Sequence, residues 1–428
     1  MYLPENLIMK MPGQIKSKEA LYISYDGLLD PLGKSQIIPY LKALVKKDIK
    51  FLVLSFEKHS NLLDKPNVAR LKNELDSARL MWKGLRYHKS PPVLATFFDI
   101  SKGILSSLWF VKRYRIKIIH ARSYVASFIA IILKKICRVK FIFDMRGFWA
   151  DERVEAGIWK KGGLLYKAAK YFEKAFLKNA DVIVSLTHAA KDEIKSFSYL
   201  KNNEIDVSYI PTCVDLRRFR QKQTSDLEII KKIKGRFILV YSGSISTWYM
   251  PNEMIDFFSV VKKYISEAYL LVLTKEKELF SKIARNKGLK DSSFSVLSLS
   301  YESVPDYLSL GQVGLAFYKS GYSRKGCSPT KVGEYLACGL PVIINTGIGD
   351  SDGILEPGRV GIIIKDFSNR EYERVQQQLR QLIKDSDIKA RCRKVAEKYF
   401  ALDLGLEEYQ KIYYKLLKNS RSYPEVAV

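Results

Sequence analysis

A chain of 428 residues is longer than one ordinary hydrophobic core can serve and suits two domains of about 200 residues each. Its 47% hydrophobic and 27% charged residues read as globular, and a formal charge of +27 at pH 7 points to phosphate-rich partners, either nucleic acid or an anionic membrane surface. No run of the roughly 18 apolar residues needed for a membrane span is evident, the first twenty residues lack the apolar stretch of a secretory signal, and five scattered cysteines without ligand spacing predict a reducing compartment and no structural zinc.

In chain order, a basic front stretch leads to a short apolar strand at 20–25 and a loop over 27–33 bounded by Gly27 and Gly33. Ser35 precedes a helix carrying Ile37, Ile38, Leu41, Leu44 and Val45, and 51–55 is the next strand. The segment PPVLATFFDISKGILSSLWFVKRYRIK then runs from Phe97, Phe98, Leu105 and Trp109 into Lys112, Arg113 and Arg115. An apolar and aromatic face ending in a basic cluster fits an interfacial helix, and a core helix followed by a solvated turn is the other reading. The charge is uneven in the same sense. Residues 1–200 hold 36 Lys+Arg against 18 Asp+Glu, residues 201–428 hold 36 against 27, and residues 101–150 carry 11 basic residues and one acid, Asp144.

Further strands are expected at 116–120, 141–144 and 182–186, which puts His120, Asp144 and Arg146 at or just beyond strand ends, where open α/β sheets bind ligands. The sequence Ile210-Pro211-Thr212-Cys213 closes the unit, with the join at 208–219. The β-α pattern restarts at 237–242 and continues at 269–274, 294–297, 313–318, 341–345 and 361–364. The fold class is therefore α/β, with two doubly wound, Rossmann-like domains.

The stretch 328–345, SPTKVGEYLACGLPVIIN, is the most informative. Ser328 reads as an N-cap, Pro329 as the first helical residue, and Gly339 with Pro341 as the stop of a helix of about three turns. Lys331 adds a full charge to the partial positive charge of that helix start, which suits a phosphate. Glu334 lies three residues on, roughly 4–5 Å further along the axis on the same face, where a carboxylate can accept two ribose hydroxyls. An ordinary capped helix with Lys331 and Glu334 as a solvated pair is the plain alternative.

Three tempting motifs do not hold. The stretch Gly27-LLDPL-Gly33-Lys34-Ser35 has five residues between its glycines where a nucleoside triphosphate loop has four, and Asp30 and Pro31 oppose phosphate binding. Asp350-Ser351-Asp352 and Asp385-Ser386-Asp387 match a metal-binding Asp-x-Asp pattern, but one falls in a glycine-rich loop and the other in a charged helical segment, so no essential metal is expected. The stretch 347–353 only approaches a dinucleotide fingerprint.

The segments SYDGLLDPLGKSQIIPYL (24–41), IIHARSYVAS (118–127), FDMRGFWADERVEAG (143–157), IPTCVDLRRF (210–219), YSGSISTWYMPNEM (241–254) and SPTKVGEYLACGLPVIINTGIGD (328–350) together resemble the retaining glycosyltransferases of family 4, which have the GT-B fold. The resemblance covers nearly all of residues 20–418. It implies a basic tail at 1–18, an acceptor-binding domain at 19–208, a nucleotide-sugar-binding domain at 209–396, and a closing helical segment at 397–428 that crosses back to the first domain. It further implies that Glu334 binds the donor ribose and Lys331 the diphosphate. Gly243, Ser244 and Arg324, with the loop of Gly347 and Gly349, stand by the donor, while Gly27 and Gly33 approach it from the opposite domain. His120, Asp144 and Arg146 become catalytic candidates together with Lys331.

The chain departs from the family in two places. The position eight before Glu334, where many relatives have a first glutamate, is Gly326. The arginine and lysine that many relatives carry after the first donor-domain strand are replaced by GSISTWY at 243–249, so charge must come from Lys331 with Arg324 or Lys325. The implied activity is metal-independent hexosyl transfer from a nucleoside diphosphate sugar, the co-substrate, with no cofactor. The acceptor is a saccharide, lipid-linked in surface polysaccharide or glycolipid synthesis, met by a cytoplasmic protein peripheral to the inner face of the plasma membrane, with no nucleic acid as partner. A nucleotide-sugar epimerase of similar fold, a non-catalytic nucleotide-sugar-binding protein and a nucleic-acid-binding protein are the competing classes.

Overall fold

The computed structural model describes residues 18–201, 204–222 and 224–420. The expected basic tail, apart from Lys18, lies outside the described residues. Among the described residues, thirteen strands form two parallel sheets. The first contains β1 (Ala20–Ser24), β2 (Phe51–Glu57), β3 (Met81–Arg86), β4 (Ile118–Arg122), β5 (Lys140–Asp144), β6 (Val182–Ser185) and β7 (Val207–Tyr209), in the order β3-β2-β1-β4-β5-β6-β7. The second contains β8 (Phe237–Ser242), β9 (Ala268–Leu273), β10 (Phe294–Leu297), β11 (Val313–Ala316), β12 (Val342–Asn345) and β13 (Gly361–Ile364), in the order β10-β9-β8-β11-β12-β13. Strands such as β1 (ALYIS) and β9 (AYLLVL) are buried at every residue because helices cover both sheet faces, so their sequences are apolar without alternation.

The strand order locates the ligand crevices. From β1 the chain winds outward through β2 and β3 and then returns to place β4 on the other side of β1, and β8, β9, β10 and β11 repeat the manoeuvre. Connections therefore leave the carboxyl ends of β1 and β4, and of β8 and β11, in opposite directions, opening a crevice at each switch point.

Several expected boundaries move. Strand β4 begins two residues late, because Arg115 ends the preceding helix in a left-handed turn (φ 52°) and Ile116-Lys117 form the entry. Gly33 is not a loop residue: Asp30-Pro31 starts a helix, Pro31–Gln36, and a second helix, Ile38–Val45, follows a break at Ile37. The edge strands β3 and β7 were not anticipated. The helix Pro92–Tyr114 is, among the described residues, long and apolar enough to cross a membrane by length and composition, which the absence of an unbroken apolar run had not suggested. It packs along the helix Ser123–Cys137, burying Ala95, Gly103, Phe110 and Val111.

The helix Ile388–Phe400 packs on the second domain against Thr330–Ala337. The chain crosses at Ala401, which bridges Val214, and the helix Leu402–Ser420 lies on the first domain, where Leu406, Tyr409, Ile412 and Tyr413 join the core beneath β1 and β2.

Candidate functional site

The helix Thr330–Ala337 begins one residue later than expected and has eight residues, about two turns. Pro329 is its N-cap, and the Ser328 hydroxyl accepts instead from the backbone N–H of Thr212 at 3.0 Å, joining the helix start to the interdomain connection. Gly339 (φ 80°) ends the helix as expected.

Lys331 and Glu334 are both buried, and no ion pair joins them. The Lys331 Nζ stands 4.0 Å from the ring centres of Tyr241 and Tyr249 and 5.5 Å from that of Tyr318, with no hydrogen-bond partner among the described residues. Three tyrosine faces attract the ammonium without satisfying its three N–H donors. Gly243, the first residue after β8, faces this group at φ 125°, and a Cβ there would lie 3.2 Å from Nζ. The glycine thus keeps the ammonium's approach clear at the β8 switch point. Burial pulls the Lys331 pKa well below its ordinary value, with Glu334 partly countering it. Burial likewise lifts Glu334 to about 7 against the Lys331 charge. Tyr301, which follows β10, points its hydroxyl at Glu334 Oε1 from 3.5 Å and carries the Arg218 guanidinium over its ring at 5.2 Å. A buried lysine without a hydrogen-bond partner and a buried carboxylate one helical turn on, met by the Tyr301 hydroxyl, can hold a diphosphate and a pair of hydroxyls.

The other donor-side candidates are engaged. Ser244 Oγ lies 2.5 Å from Glu276 Oε2, which also accepts from the Ile245 N–H. Arg324 is buried, its guanidinium 4.5 Å from the Trp248 ring and 3.4 Å from Glu152 of the first domain, and Lys325 pairs with Glu193 at 2.7 Å. Gly349 packs on the Cys327 carbonyl and Thr187, and Asp350 beside it accepts from the N–H groups of His188 and Ala189, capping a first-domain helix. Gly347 (φ 80°) has open space around it. Asp352 accepts from Thr346 Oγ1 and the Gly347 N–H, so both carboxylates of this Asp-x-Asp have partners within the protein.

Gly27 and Gly33 serve the loop's own packing. A Cβ at Gly27 would lie 2.4 Å from Glu57 Oε2, and one at Gly33 would lie 2.3 Å from the Gly27 carbonyl oxygen. The buried Glu57 carboxylate accepts from the N–H groups of Leu28 and Leu29, so the loop's donors grip the protein's own anion.

At the first-domain switch point, Asp144 ends β5 fully buried. Its Oδ2 lies 3.6 Å from Arg122 Nη1, 3.5 Å from His120 Nε2 and 3.2 Å from the Tyr409 hydroxyl, and its Oδ1 lies 3.7 Å from Arg146 Nη1. Burial alone would raise Asp144, but Arg146, His120 and Arg122 outweigh it and hold the group at about 2. Arg146 reaches back because it takes a left-handed turn (φ 59°) ahead of Gly147. His120 does not face the cleft as expected. It lies under the helix Leu402–Ser420, Nδ1 2.6 Å from the Tyr413 hydroxyl, and burial lowers its pKa. A cavity of about 10 Å³, room for the centre of one water, adjoins it among Tyr22, Gln36, Tyr40 and Tyr409. The structure thus brings His120, Asp144 and Arg146 together and adds Arg122 and Tyr409. A correctly placed β4 would have flagged Arg122, two residues after His120 on the same strand face. Tyr409 left no local signal.

The position of the family's first glutamate is closed. A Cβ on Gly326 would stand 3.0 Å from the Gly147 Cα and 3.3 Å from the Phe148 ring, because the two domains meet there backbone to backbone.

A family model described as glycosyl transferases group 1 matches residues 222–399, and one described as glycosyltransferase family 4 matches residues 41–218. No curated protein matches the sequence. Among solved structures, sucrose-phosphate synthase from Thermosynechococcus elongatus superposes with a TM-score of 0.69 at 14% identity, over 94% of this chain and 100% of that one. A glycosyltransferase from Rickettsia africae gives 0.68 at 16%, over 94% and 99%. HepE from Anabaena, in complex with UDP and glucose, gives 0.65 at 13%, over 94% and 99%. With a family model on each half and structural likeness across both domains, the chain belongs to the group 1 glycosyltransferases and has their two-domain GT-B fold.

Proposed function

We propose that this glycosyltransferase takes a sugar from a nucleoside diphosphate sugar with retention of configuration, without a metal, and passes it to a saccharide acceptor carried on a lipid. The carrying observation is the buried, unpartnered Lys331 ammonium one helical turn from the buried Glu334 carboxylate, at the switch point of the second sheet. Similarity to HepE, whose structures hold UDP and UDP-glucose, supports a nucleotide sugar as donor. Lys331 and the free N–H groups of its helix start stabilise the departing diphosphate. Acceleration requires that they hold its developing charge better as the glycosidic bond breaks. Glu334 holds the ribose. Across the cleft, Asp144 with Arg122 and Arg146 forms a rigid polar floor for the acceptor.

A thermal-shift screen of UDP, GDP, CMP and ADP, with their sugars, tests the donor site in the wild type, Glu334→Ala and Lys331→Ala. A ligand at about 100 times its dissociation constant adds about 2.7 kcal/mol to the native state. One nucleotide should stabilise the wild type and lose most of its effect in both variants. Flat curves from a folded protein would overturn the reading. Interconversion of the sugar without an acceptor would replace it with an epimerase.

A further inference from the structure

We propose that the outer face of the helix Pro92–Tyr114 docks flat on an anionic lipid bilayer. The helix is apolar on two sides. Its inner stripe is fixed to the first domain, where a Cβ on Gly103 would lie 2.5 Å from Ile129, and where the buried Asp99 binds His88 Nδ1 at 2.6 Å and the Tyr25 hydroxyl at 2.9 Å. Its outer stripe recurs at helical spacing through Leu94, Phe97, Leu105 and Trp109, exposed by 68%, 71%, 69% and 56%. Among the described residues, nothing covers this stripe. Ile136, on the helix packed alongside, is exposed as well.

Charge selects the occupant. Residues 102–140 carry ten Lys+Arg and no Asp or Glu, and Lys112, Arg113 and Lys135 are exposed around the apolar stripe. Aliphatic and aromatic side chains that enter an acyl boundary, rimmed by cations that meet phosphate headgroups, fit a bilayer of net negative charge. A nucleic-acid groove has no use for Leu94 and Leu105. Crossing the bilayer would strip Asp99 from its partners and uncover Phe110 and Val111, so the helix lies along the surface. Pro92 follows the end of β3 by six residues, which sets the apolar start of the helix toward the carboxyl edge of the first sheet, the edge on which its switch-point crevice opens. A saccharide on a lipid then reaches the cleft without leaving the membrane. This last consequence rests on the proposed acceptor, whereas docking does not.

The test is sedimentation of the full chain with vesicles of phosphatidylcholine, alone or with phosphatidylglycerol, without nucleotide. The wild type should pellet with the anionic vesicles and be released by salt. Phe97→Ser/Leu105→Ser/Trp109→Ser and Lys112→Glu/Arg113→Glu should each lose at least about tenfold in partition while keeping the wild-type melting midpoint and nucleotide response. Independently of any fold change, brominated lipid should quench wild-type tryptophan fluorescence, less so in Trp109→Phe. A wild type that stays in the supernatant, or folded variants that bind as well as it does, would overturn the proposal. So would resistance of the membrane-bound protein to alkaline carbonate, which marks a spanning helix, or binding to nucleic acid through the same residues.

Discussion

Lys331 and Glu334 are both buried, one helical turn apart, and burial disfavours the charged form of each. A bound diphosphate favours the Lys331 ammonium that burial opposes, so donor affinity should fall as rising pH removes the proton from Lys331. Titration calorimetry over a rising pH series should show that loss of affinity earlier in the wild type than in Lys331→Arg; the same profile for both would sink the idea. Glu334 contributes to stability with the opposite pH sense to a salt-bridged acid. Its folded pKa of about 7 exceeds the ordinary 4.5, so its stabilisation is complete below pH 4.5 and lost as pH rises through 7. That change is about 3 kcal/mol, and Glu334→Gln should flatten it in denaturation curves run from pH 4.5 to 8. The helix that carries both was legible in the sequence because its Gly339 stop is written locally, although its start lies one residue later than expected. Arg122, Glu57, Tyr301 and Tyr409 were not, because each acquires its meaning from a partner far along the chain.

Among elements, the central strands were legible and the edges were not. β1, β8 and β9 are apolar throughout because they are covered on both faces, whereas β3 (MWKGLR) is half-buried and β7 has only three residues. The 27–33 loop illustrates a different gap: its glycines were read as making room for a ligand, and they make room for Glu57 and for the loop itself. Gly326 is the sharpest case. Gly326→Glu would recreate the family's first glutamate in sequence, but the side chain would have to displace Gly147 and Phe148. It should destabilise by about 1–3 kcal/mol in urea denaturation and leave transfer unimproved. Unchanged stability would show that the domains do not meet there.

Across the whole molecule, the domain contact beside the cleft surrounds the packing of Gly326 and Tyr322 on Gly147 and Phe148 with charge and hydrogen bonds. Arg324 meets Glu152, Lys325 and Tyr322 meet Glu193, Ser323 meets Glu155, and Asp350 caps a helix opposite. Polar interdomain contacts of this kind permit relative motion. Glu152→Gln/Glu193→Gln should loosen the contact, and a larger radius of gyration in small-angle scattering would register it; an unchanged radius would place the closing force elsewhere. Opposite this contact, Val214 lies between two hydrogen bonds, its N–H donating to the Phe400 carbonyl at 2.7 Å and its carbonyl accepting from the Leu402 N–H at 3.1 Å. Both connections thus run side by side, and the helix after the second brings Tyr409 and Tyr413 into the first domain's core. On the ribosome, the domain that is made first cannot close its core until the domain that follows it has been fully translated.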